Sequence, residues 1–417
     1  MDTGLDLEPI AAERRTASFW DVLLLFAGAN IVTTTLVTGG SLAPAFSFRQ
    51  AIALVVVGTI VGTVPIALLA RLGPRFGLPT MVLLRHPFGR QGAAAISLFL
   101  ILTNFAWIAL NNLIAAEAME KLLGGKNWEW SLAVGGIAVA IAVTGPKAMA
   151  LFDKVAVPLL AIVAVGITWA LFGAAGREAL TRAGSGGISL LAGFDIVVGY
   201  QVSWSLMFAD YTRYQADERR ASRAVAAGLA LSSLWLMGIG AGAGAAGGGN
   251  SPTDMVLGLG LPLGALLLIA LSTITTNFVN IYLSSLALKN LWPRAPEWPT
   301  VLAVGGVGTA FGLLSPHLLD RYATFMGWIA TLLLPLLAVA ICHFFVRFRK
   351  LADARDAPRW RLAGIAGWAA GVLTYQGLEH LAWRWGATVP TLVVAAAVYL
   401  LFSRPAKPAV GLAATRR

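Results

Sequence analysis

Long apolar stretches alternate with short polar segments along the whole chain. A helix needs about 20 mainly apolar residues to cross a bilayer, so each stretch predicts a membrane span. We find twelve, over residues 19–41, 50–71, 92–119, 130–146, 154–175, 190–211, 222–246, 262–288, 299–314, 322–346, 362–378 and 384–402. The pattern predicts an all-α polytopic membrane protein with 12 transmembrane helices.

Composition supports this interpretation and charge gives it an orientation. The 417 residues are 58% hydrophobic and 12% charged, which excludes a soluble domain of this length. The net charge of +11 suggests nucleic acid, but 24 of the 31 Lys and Arg residues fall in tails and loops on one side of the predicted spans. By the positive-inside rule that side is the cytoplasm. We expect a protein of the cell inner (plasma) membrane, with both termini cytoplasmic and no nucleic-acid partner.

Two predicted spans carry a polar or glycine-rich interruption. Residues 27–31 interrupt span one and residues 199–203 interrupt span six, each after an aspartate, Asp21 and Asp195. These aspartates are 174 positions apart, and two Thr-Asn-Phe motifs, at 103–105 and 276–278, are 173 apart. The offset predicts a five-helix unit used twice. Because five is odd, the second copy would be inverted in the membrane, an arrangement that places a binding site near the midplane.

The repeat predicts an organisation in five parts. These are a cytoplasmic tail (1–18), a first repeat with spans one to five (19–175), a second repeat with spans six to ten (190–346), spans eleven and twelve (362–402), and a second cytoplasmic tail (403–417). Spans eleven and twelve have no partners in the repeat, so we expect them to serve packing or contacts in a homodimer. Residues 71–90 predict a basic loop with turns, and the glycine-rich stretch 240–250 predicts a flexible, gating segment.

Polar residues at bilayer depth are the candidates for chemistry. Trp107 and Asn111 are four apart on one helical face, so a flat heterocycle could stack on the ring and pair with the amide; the alternative is that both only pack between helices. Thr275 and Thr276 offer hydroxyl oxygens to a small cation, or bond to carbonyls of their own helix. Thr103 and Asn104 are expected only to pack.

Other polar residues point less clearly to chemistry. Asp210, at the end of span six, could join a gate or proton relay, or form an ion pair with Arg213. The four histidines show no metal-ligand spacing, and no arrangement typical of an enzyme stands out. We therefore predict no enzyme, no catalytic cofactor and no metal other than a small cation at Thr275 and Thr276.

Several motifs together resemble the nucleobase:cation symporter family, the purine/cytosine permeases. They are Trp107-x-x-x-Asn111, the broken first helix at 28–31, Gly77-Leu78-Pro79-Thr80-Met81, Ala209-Asp210-Tyr211-Thr212-Arg213-Tyr214 and Thr276-Asn277-Phe278-Val279-Asn280. The resemblance spans nearly the whole chain. It implies a leucine-transporter-like fold, with a 5+5 inverted repeat plus two extra helices, and import of a cytosine-like base with Na⁺ or H⁺.

The resemblance also implies roles for individual residues. Trp107 would stack on the base, and the amides of Asn111 and Asn280 would bond to its edge. Backbone carbonyls of Gly28, Ile31 and Ser272 would hold Na⁺, together with the hydroxyls of Thr275 and Thr276. A base would lie between Trp107 and Tyr200.

Two positions depart from the family pattern. Val32 stands where some members have glutamine, and Tyr200 or Gln201 stands where the family has a stacking tryptophan, with Trp204 as an alternative partner. Substrate identity is open at this point. An amino-acid or amine symporter of the same fold is the alternative within transport, and a channel or receptor is the alternative outside it.

Overall fold

The structure is a computed structural model that describes residues 8–144, 146–171, 173–248, 251–292, 294–347, 357–381 and 386–403. These residues form helices and connections, with no β-strand among them. The first eight helices are α1 Phe19–Asn30, α2 Thr33–Gly40, α3 Phe48–Ala70, α4 Leu72–Phe76, α5 Thr80–Leu123, α6 Asn127–Thr144, α7 Pro146–Leu171 and α8 Ala174–Thr181. The other eight are α9 Leu190–Val202, α10 Glu218–Ala243, α11 Pro252–Gly258, α12 Gly264–Leu291, α13 Glu297–Leu314, α14 Tyr322–Ile341, α15 Leu362–His380 and α16 Thr388–Phe402.

The helices fit a multi-pass membrane protein. Within the described residues, six helices are long and apolar enough to cross a bilayer, and the bent pair of α1 and α2 makes a seventh. Every predicted stretch overlaps a helix, although some of these helices are shorter than a full crossing requires. Most of both predicted tails, residues 1–7 and 404–417, lies outside the described part of the chain. The number of twelve spans stays a prediction.

The first predicted span is broken where its polar interruption ends. Ser18 and Asp21 form a capping box that starts α1, with the backbone N–H of Asp21 3.1 Å from the Ser18 hydroxyl. α1 stops at Asn30, and α2 begins at Thr33 after a bend of 59°. Asp195, which the sequence pairs with Asp21, lies inside α9 instead of capping it. The two aspartates from which the offset is predicted therefore have different roles: Asp21 caps a helix, and Asp195 does not.

The expected loop at residues 71–90 is largely helical, so that expectation is wrong over most of the stretch. It holds α4 and the first turns of α5; residues 77–79 separate the two helices, and Gly77 and Gly89 have φ of 69° and 82°. At Gly89 the helical hydrogen-bond ladder is replaced by backbone bonds to the segment before α15. Arg90 and Gln91 donate to the carbonyls of 358 and 359, and the N–H of Arg361 donates to Phe88. This segment and α5 thus form a backbone junction.

Several helices pack around the broken pair α1 and α2. α12 packs along α5, and α10 packs against the broken pair α1 and α2 and against α3. α9 lies between α3 and α14, while α15 and α16 form an antiparallel pair on α14. The break between α1 and α2 lines one space together with residues of α5, α9 and α12.

Glycines allow α2 to approach α10 at backbone distance. A Cβ atom built on Gly39 would overlap the backbone of Met237, and one on Gly240 would overlap the carbonyl of Leu36. Gly240 belongs to the stretch expected to be flexible, yet α10 continues as far as Ala243. Its role in the structure is close helix packing.

We predict that Gly39→Ala destabilises the protein, because neither backbone can move away from the added methyl group. Overpacking of this kind costs about 1–3 kcal/mol. The melting temperature of the purified protein in detergent should fall. Gly306→Ala is the matched control, since a Cβ there meets no atom within 4 Å and its melting temperature should not decrease. Equal melting temperatures for both variants would contradict this account of the α2–α10 contact.

Candidate functional site

A cavity of about 740 Å³, counting its opening, lies beside the break between α1 and α2. α5, α9 and α12 supply most of the other walls, with the turns that follow α9. The polar and aromatic side chains that line it are Thr34, Asn104, Trp107, Tyr200, Ser203, Trp204, Asp210, Thr276 and Asn280. An apolar lining with a few convergent polar groups is typical of a small-molecule site.

Aromatic rings form one wall of the cavity. Trp107 is 9% exposed, and its ring meets that of Tyr200 edge to face, with centroids 6.1 Å apart and planes at 87°. The ring of Phe325 of α14 also contacts Trp107, with centroids 5.0 Å apart. Because the rings of Trp107 and Tyr200 are perpendicular, they do not form a parallel sandwich. A flat ligand could lie on the face of one ring while its edge meets the other.

The position of Tyr200 is fixed by a buried network at the break. Its hydroxyl lies 2.6 Å from the Thr35 hydroxyl and 3.0 Å from Oδ1 of Asn30. Nδ2 of Asn30 in turn contacts the hydroxyls of Ser232 and Ser233 on α10, each at 2.7 Å. Asn30 is fully buried, so α1, α2, α9 and α10 are joined by one saturated set of hydrogen bonds.

Three other polar atoms at the cavity have no partner among the described residues. They are the indole nitrogen of Trp204, Nδ2 of Asn280 and Oδ2 of Asp210. Two are donors and the third belongs to a carboxyl group. Buried polar atoms are nearly always hydrogen-bonded, so these three are available to a ligand with hydrogen-bonding groups on its edge.

Asn280 and Thr276 lie one turn apart on α12 and both line the cavity. Asn104 of α5 lies across from them, and its amide donates to Ser284 at 2.9 Å and contacts the Asn280 carbonyl at 3.4 Å. The expectation that Asn104 only packs is therefore incomplete, because it also forms part of the cavity wall. Thr103 agrees with that expectation: its hydroxyl bonds to carbonyls of its own helix.

Two other candidates for substrate contact lie outside the cavity lining. Asn111 is fully buried, and its amide donates to the Trp107 carbonyl at 2.9 Å. Gln201 is also fully buried, and its amide points toward Thr59 of α3 at 3.4 Å. Each keeps one side-chain oxygen without a partner, but the structure does not bring either residue to the cavity with Trp107, Tyr200 and Asn280.

The five candidate cation ligands lie at the helix break and on α12. Gly28 belongs to α1 and Ile31 to the break that follows it, and Ser272, Thr275 and Thr276 lie within about one turn of α12. The hydroxyl of Thr33, at the start of α2, lies 2.8 Å from that of Ser272.

Local hydrogen bonds engage part of this set. Both threonine hydroxyls donate to the Ser272 carbonyl, and the Gly28 carbonyl accepts from the N–H of Ile31 at 3.2 Å. The hydroxyl oxygens keep lone pairs for a cation, so the set fits a small hard ion.

The sequence pattern points only weakly to Asp210 and makes Trp204 an alternative to Tyr200 or Gln201 as the stacking partner. A signal was present for Trp204, since it follows Tyr200 by four residues and so shares its helical face. For Asp210 no spacing rule applied, because the chain leaves α9 after Val202 and continues through a 3₁₀ turn at Ser203–Met207. Its place in the lining depends on that irregular segment.

Comparisons with known proteins show which family the sequence matches. The family described as permease for cytosine/purines, uracil, thiamine, allantoin matches residues 9–365. The cytosine permease of Escherichia coli is 24% identical, over 91% of this chain and 89% of that protein. The purine-cytosine permease FCY2 of Saccharomyces cerevisiae is 25% identical, over 87% and 75% of the two chains.

Solved structures show the same fold. Mhp1, a nucleobase-cation-symport-1 family transporter, in a closed conformation with bromovinylhydantoin bound, aligns with a TM-score of 0.79 and 18% identity over 95% of this chain and 94% of that one. A Na⁺-coupled sialic acid symporter aligns with a TM-score of 0.59 and 12% identity, over 94% and 90%. The chain thus shares the fold of cation-coupled symporters.

We predict that Tyr200→Phe lowers stability, because it removes a buried hydroxyl that serves both Asn30 and Thr35. Leaving buried partners unsatisfied costs about 1–3 kcal/mol. The melting temperature in detergent, without added ligand, should drop measurably. Tyr214→Phe is the control, since that hydroxyl makes a 3.2 Å contact with the guanidinium of Arg213 in a part-buried setting. If Tyr200→Phe melted no lower than Tyr214→Phe, the network would not hold the break.

Proposed function

The chain belongs to the family of permeases for cytosine, purines, uracil, thiamine and allantoin, and on that premise we propose that it imports a cytosine-like base, or a related pyrimidine or purine, together with Na⁺ or H⁺. Membership makes the protein a transporter and not an enzyme. Alternating access would move the base: the cation binds where α1 and α12 meet, and this completes the cavity. A cation can do so only by binding the substrate-ready conformation more tightly.

The observation that carries the substrate class is the set of three partnerless polar atoms beside an aromatic wall. A planar base offers ring faces for Trp107 and alternating donors and acceptors on its edge. The N–H groups of Trp204 and Asn280 suit a ring nitrogen or carbonyl oxygen. The carboxyl of Asp210 suits an amino or ring N–H group. Cytosine combines all of these on one small ring, which is why we place it first.

The same carboxyl argues against the amino-acid alternative. An amino-acid substrate brings a carboxylate, and the lining residues include Asp210 but no Lys or Arg. The carboxylate would have to sit at the break, near the threonines of α2. An amine without a carboxylate meets no such repulsion, so competition by amines as well as amino acids belongs in the test.

We also infer the arrangement in the membrane. The twelve predicted stretches would form two inverted five-helix repeats, with α15 and α16 as an added pair that packs on α14 or serves a homodimer. The charge distribution supports cytoplasmic termini in the plasma membrane. The aligned fold of Mhp1 supports the same organisation.

Uptake into proteoliposomes tests the substrate and the ion together. We expect radiolabelled cytosine to accumulate against its gradient, in competition with adenine, hypoxanthine, allantoin or hydroxymethylpyrimidine. Accumulation that requires a Na⁺ gradient and is impaired by Thr275→Ala, a residue outside the cavity lining, would support Na⁺; uptake driven by a pH gradient alone would support H⁺. If no base accumulated, the substrate class would be wrong, and uptake that merely equilibrates would indicate a channel.

Replacement of Trp107 should strongly reduce uptake, because the base loses the ring on which it lies. Stacking on an aromatic ring is worth about 1–3 kcal/mol, so Trp107→Ala should reduce uptake by about 5- to 150-fold while the protein still reaches the membrane. Trp169→Ala is the control, as that side chain is 84% exposed on α7 and its loss should leave uptake unchanged. Wild-type uptake by Trp107→Ala would reduce Trp107 to a packing residue.

A further inference from the structure

Helix α14 contains a proline, Pro335, in its interior. A proline has no N–H, so the carbonyl four residues earlier, at Thr331, loses its partner in the helix, and the helix is weakened at that point. Inside a membrane such a position is tolerated where neighbouring helices supply hydrogen bonds. α15 is that neighbour: a Cβ atom built on Gly371 would lie only 2.6 Å from the Cβ of Pro335, so α15 passes directly over the proline ring.

Two side chains of α15 donate hydrogen bonds to α14 one turn before the proline. The indole N–H of Trp368 donates to the carbonyl of Leu332 at 2.9 Å. The side-chain amide of Gln376 donates to the hydroxyl of Thr331 at 3.0 Å. α15 therefore holds α14 at the point where its own hydrogen-bond ladder is interrupted.

Trp368 also contacts α5, the helix that carries Trp107. The rings of Trp368 and Phe99 lie with centroids 5.6 Å apart and planes tilted by 33°, and Phe99 precedes Trp107 by eight residues on α5. One side chain of α15 thus contacts both helices whose rings meet at the cavity wall, α5 by its ring and α14 by its N–H.

The two halves of α14 have different surroundings. Before Pro335, the hydroxyl of Tyr322 bonds to α2 at 2.7 Å, and the ring of Phe325 contacts Trp107. After Pro335, the helix continues into a segment where Nδ1 of His343 lies 2.7 Å from a hydroxyl of α16. Pro335 therefore separates a half that reaches the cavity wall from a half that is bonded to the C-terminal helix pair.

We propose that Trp368 and Gln376 are positioning residues for the cavity. They hold the half of α14 before Pro335 against α5, and so keep the ring of Phe325 on that of Trp107. No described residue of α15 lines the cavity, yet this helix, which has no partner in the predicted repeat, fixes one of its walls. The effect on substrate affinity rests on the proposed function, whereas the effect on α14 does not.

The mechanism is preorganisation of the binding surface. Without the bonds from α15, the half of α14 before Pro335 can tilt at the interrupted turn, and the contact between Phe325 and Trp107 loosens. A base would then have to order the ring of Trp107 as it binds, which weakens its affinity. The rate of the later transport steps is not affected by this loss.

Hydrogen exchange of the purified full-length protein in detergent, without substrate, tests the hold on α14. Trp368→Phe removes the N–H and keeps a ring beside Phe99. Residues 322–334 should exchange faster than in the wild type, while residues 336–347 should not change, because only the first half is released. Trp298→Phe is the control, as that side chain is 61% exposed on α13 and its replacement should leave both segments unchanged. Unchanged exchange over residues 322–334 in Trp368→Phe, or an equal increase throughout the protein, would overturn the proposal.

A second variant tests the part played by the proline. Pro335→Ala restores the missing N–H and makes the helical ladder of α14 continuous. Adding Trp368→Phe to Pro335→Ala should therefore increase exchange over residues 322–334 much less than Trp368→Phe does alone. An equal increase in both backgrounds would contradict the role of Pro335 as the point of release.

Uptake kinetics distinguish positioning from general stabilisation. Trp368→Phe should raise the KM for cytosine about fivefold, the factor that corresponds to one hydrogen bond, with the maximal rate per folded protein unchanged. Phe325→Leu removes the contact through which Trp368 acts, so adding Trp368→Phe to it should raise KM no further. Additive effects on KM would overturn the proposal. If the wild type accumulates no base, the proposed function fails, and the exchange experiment still decides whether α15 holds α14.

Discussion

The structure depends on how a helix can be interrupted inside a membrane. Stopping α1 at Asn30 frees backbone groups and a side-chain amide where water is absent, and each must be satisfied by protein. Asn30 does this with partners on two other helices, Ser232 and Ser233 on α10 and Tyr200 on α9. Because that network also fixes the ring of Tyr200, the stability of the break and the shape of the cavity share the same hydrogen bonds.

Two groups of buried polar side chains near the helix break differ in how far their hydrogen bonds are satisfied. Those around Asn30 are saturated and hold the framework, whereas the indole of Trp204, the amide of Asn280 and the carboxyl of Asp210 keep unused hydrogen-bonding capacity at the cavity. The second group costs folding free energy unless a ligand completes it. Under the proposed function, the stability penalty falls at the positions that recognise the substrate, while the network that holds the helix break beside them is satisfied.

Most of the helices, the helix break and part of the candidate site could be predicted from the sequence. The predictions that fail do so for identifiable physical reasons. The hydrophobic pattern gives the helices, and the glycine and asparagine at 28 and 30 give the break. The i,i+4 rule found Trp107, but it also led to Asn111, whereas the cavity is reached by Asn104, three residues before Trp107. On α9 a shift of one residue turns a side chain by about 100°, which separates Tyr200 from Gln201. Asp210 lies beyond α9 in an irregular turn, where no periodicity applies, and Gly89 gives no hint in sequence of its distant partner.

The backbone junction at Gly89 has a consequence for the order in which the protein folds during its synthesis. Chains emerge from the ribosome with the N-terminal part first, and early segments begin to fold before later ones exist. The bend of α5 near its start is completed by backbone bonds from residues 358 to 361, close to the other end of the chain. The early helices must therefore wait in the bilayer with an open junction, which makes the final quarter of the sequence the closing step of biogenesis and not an optional extension.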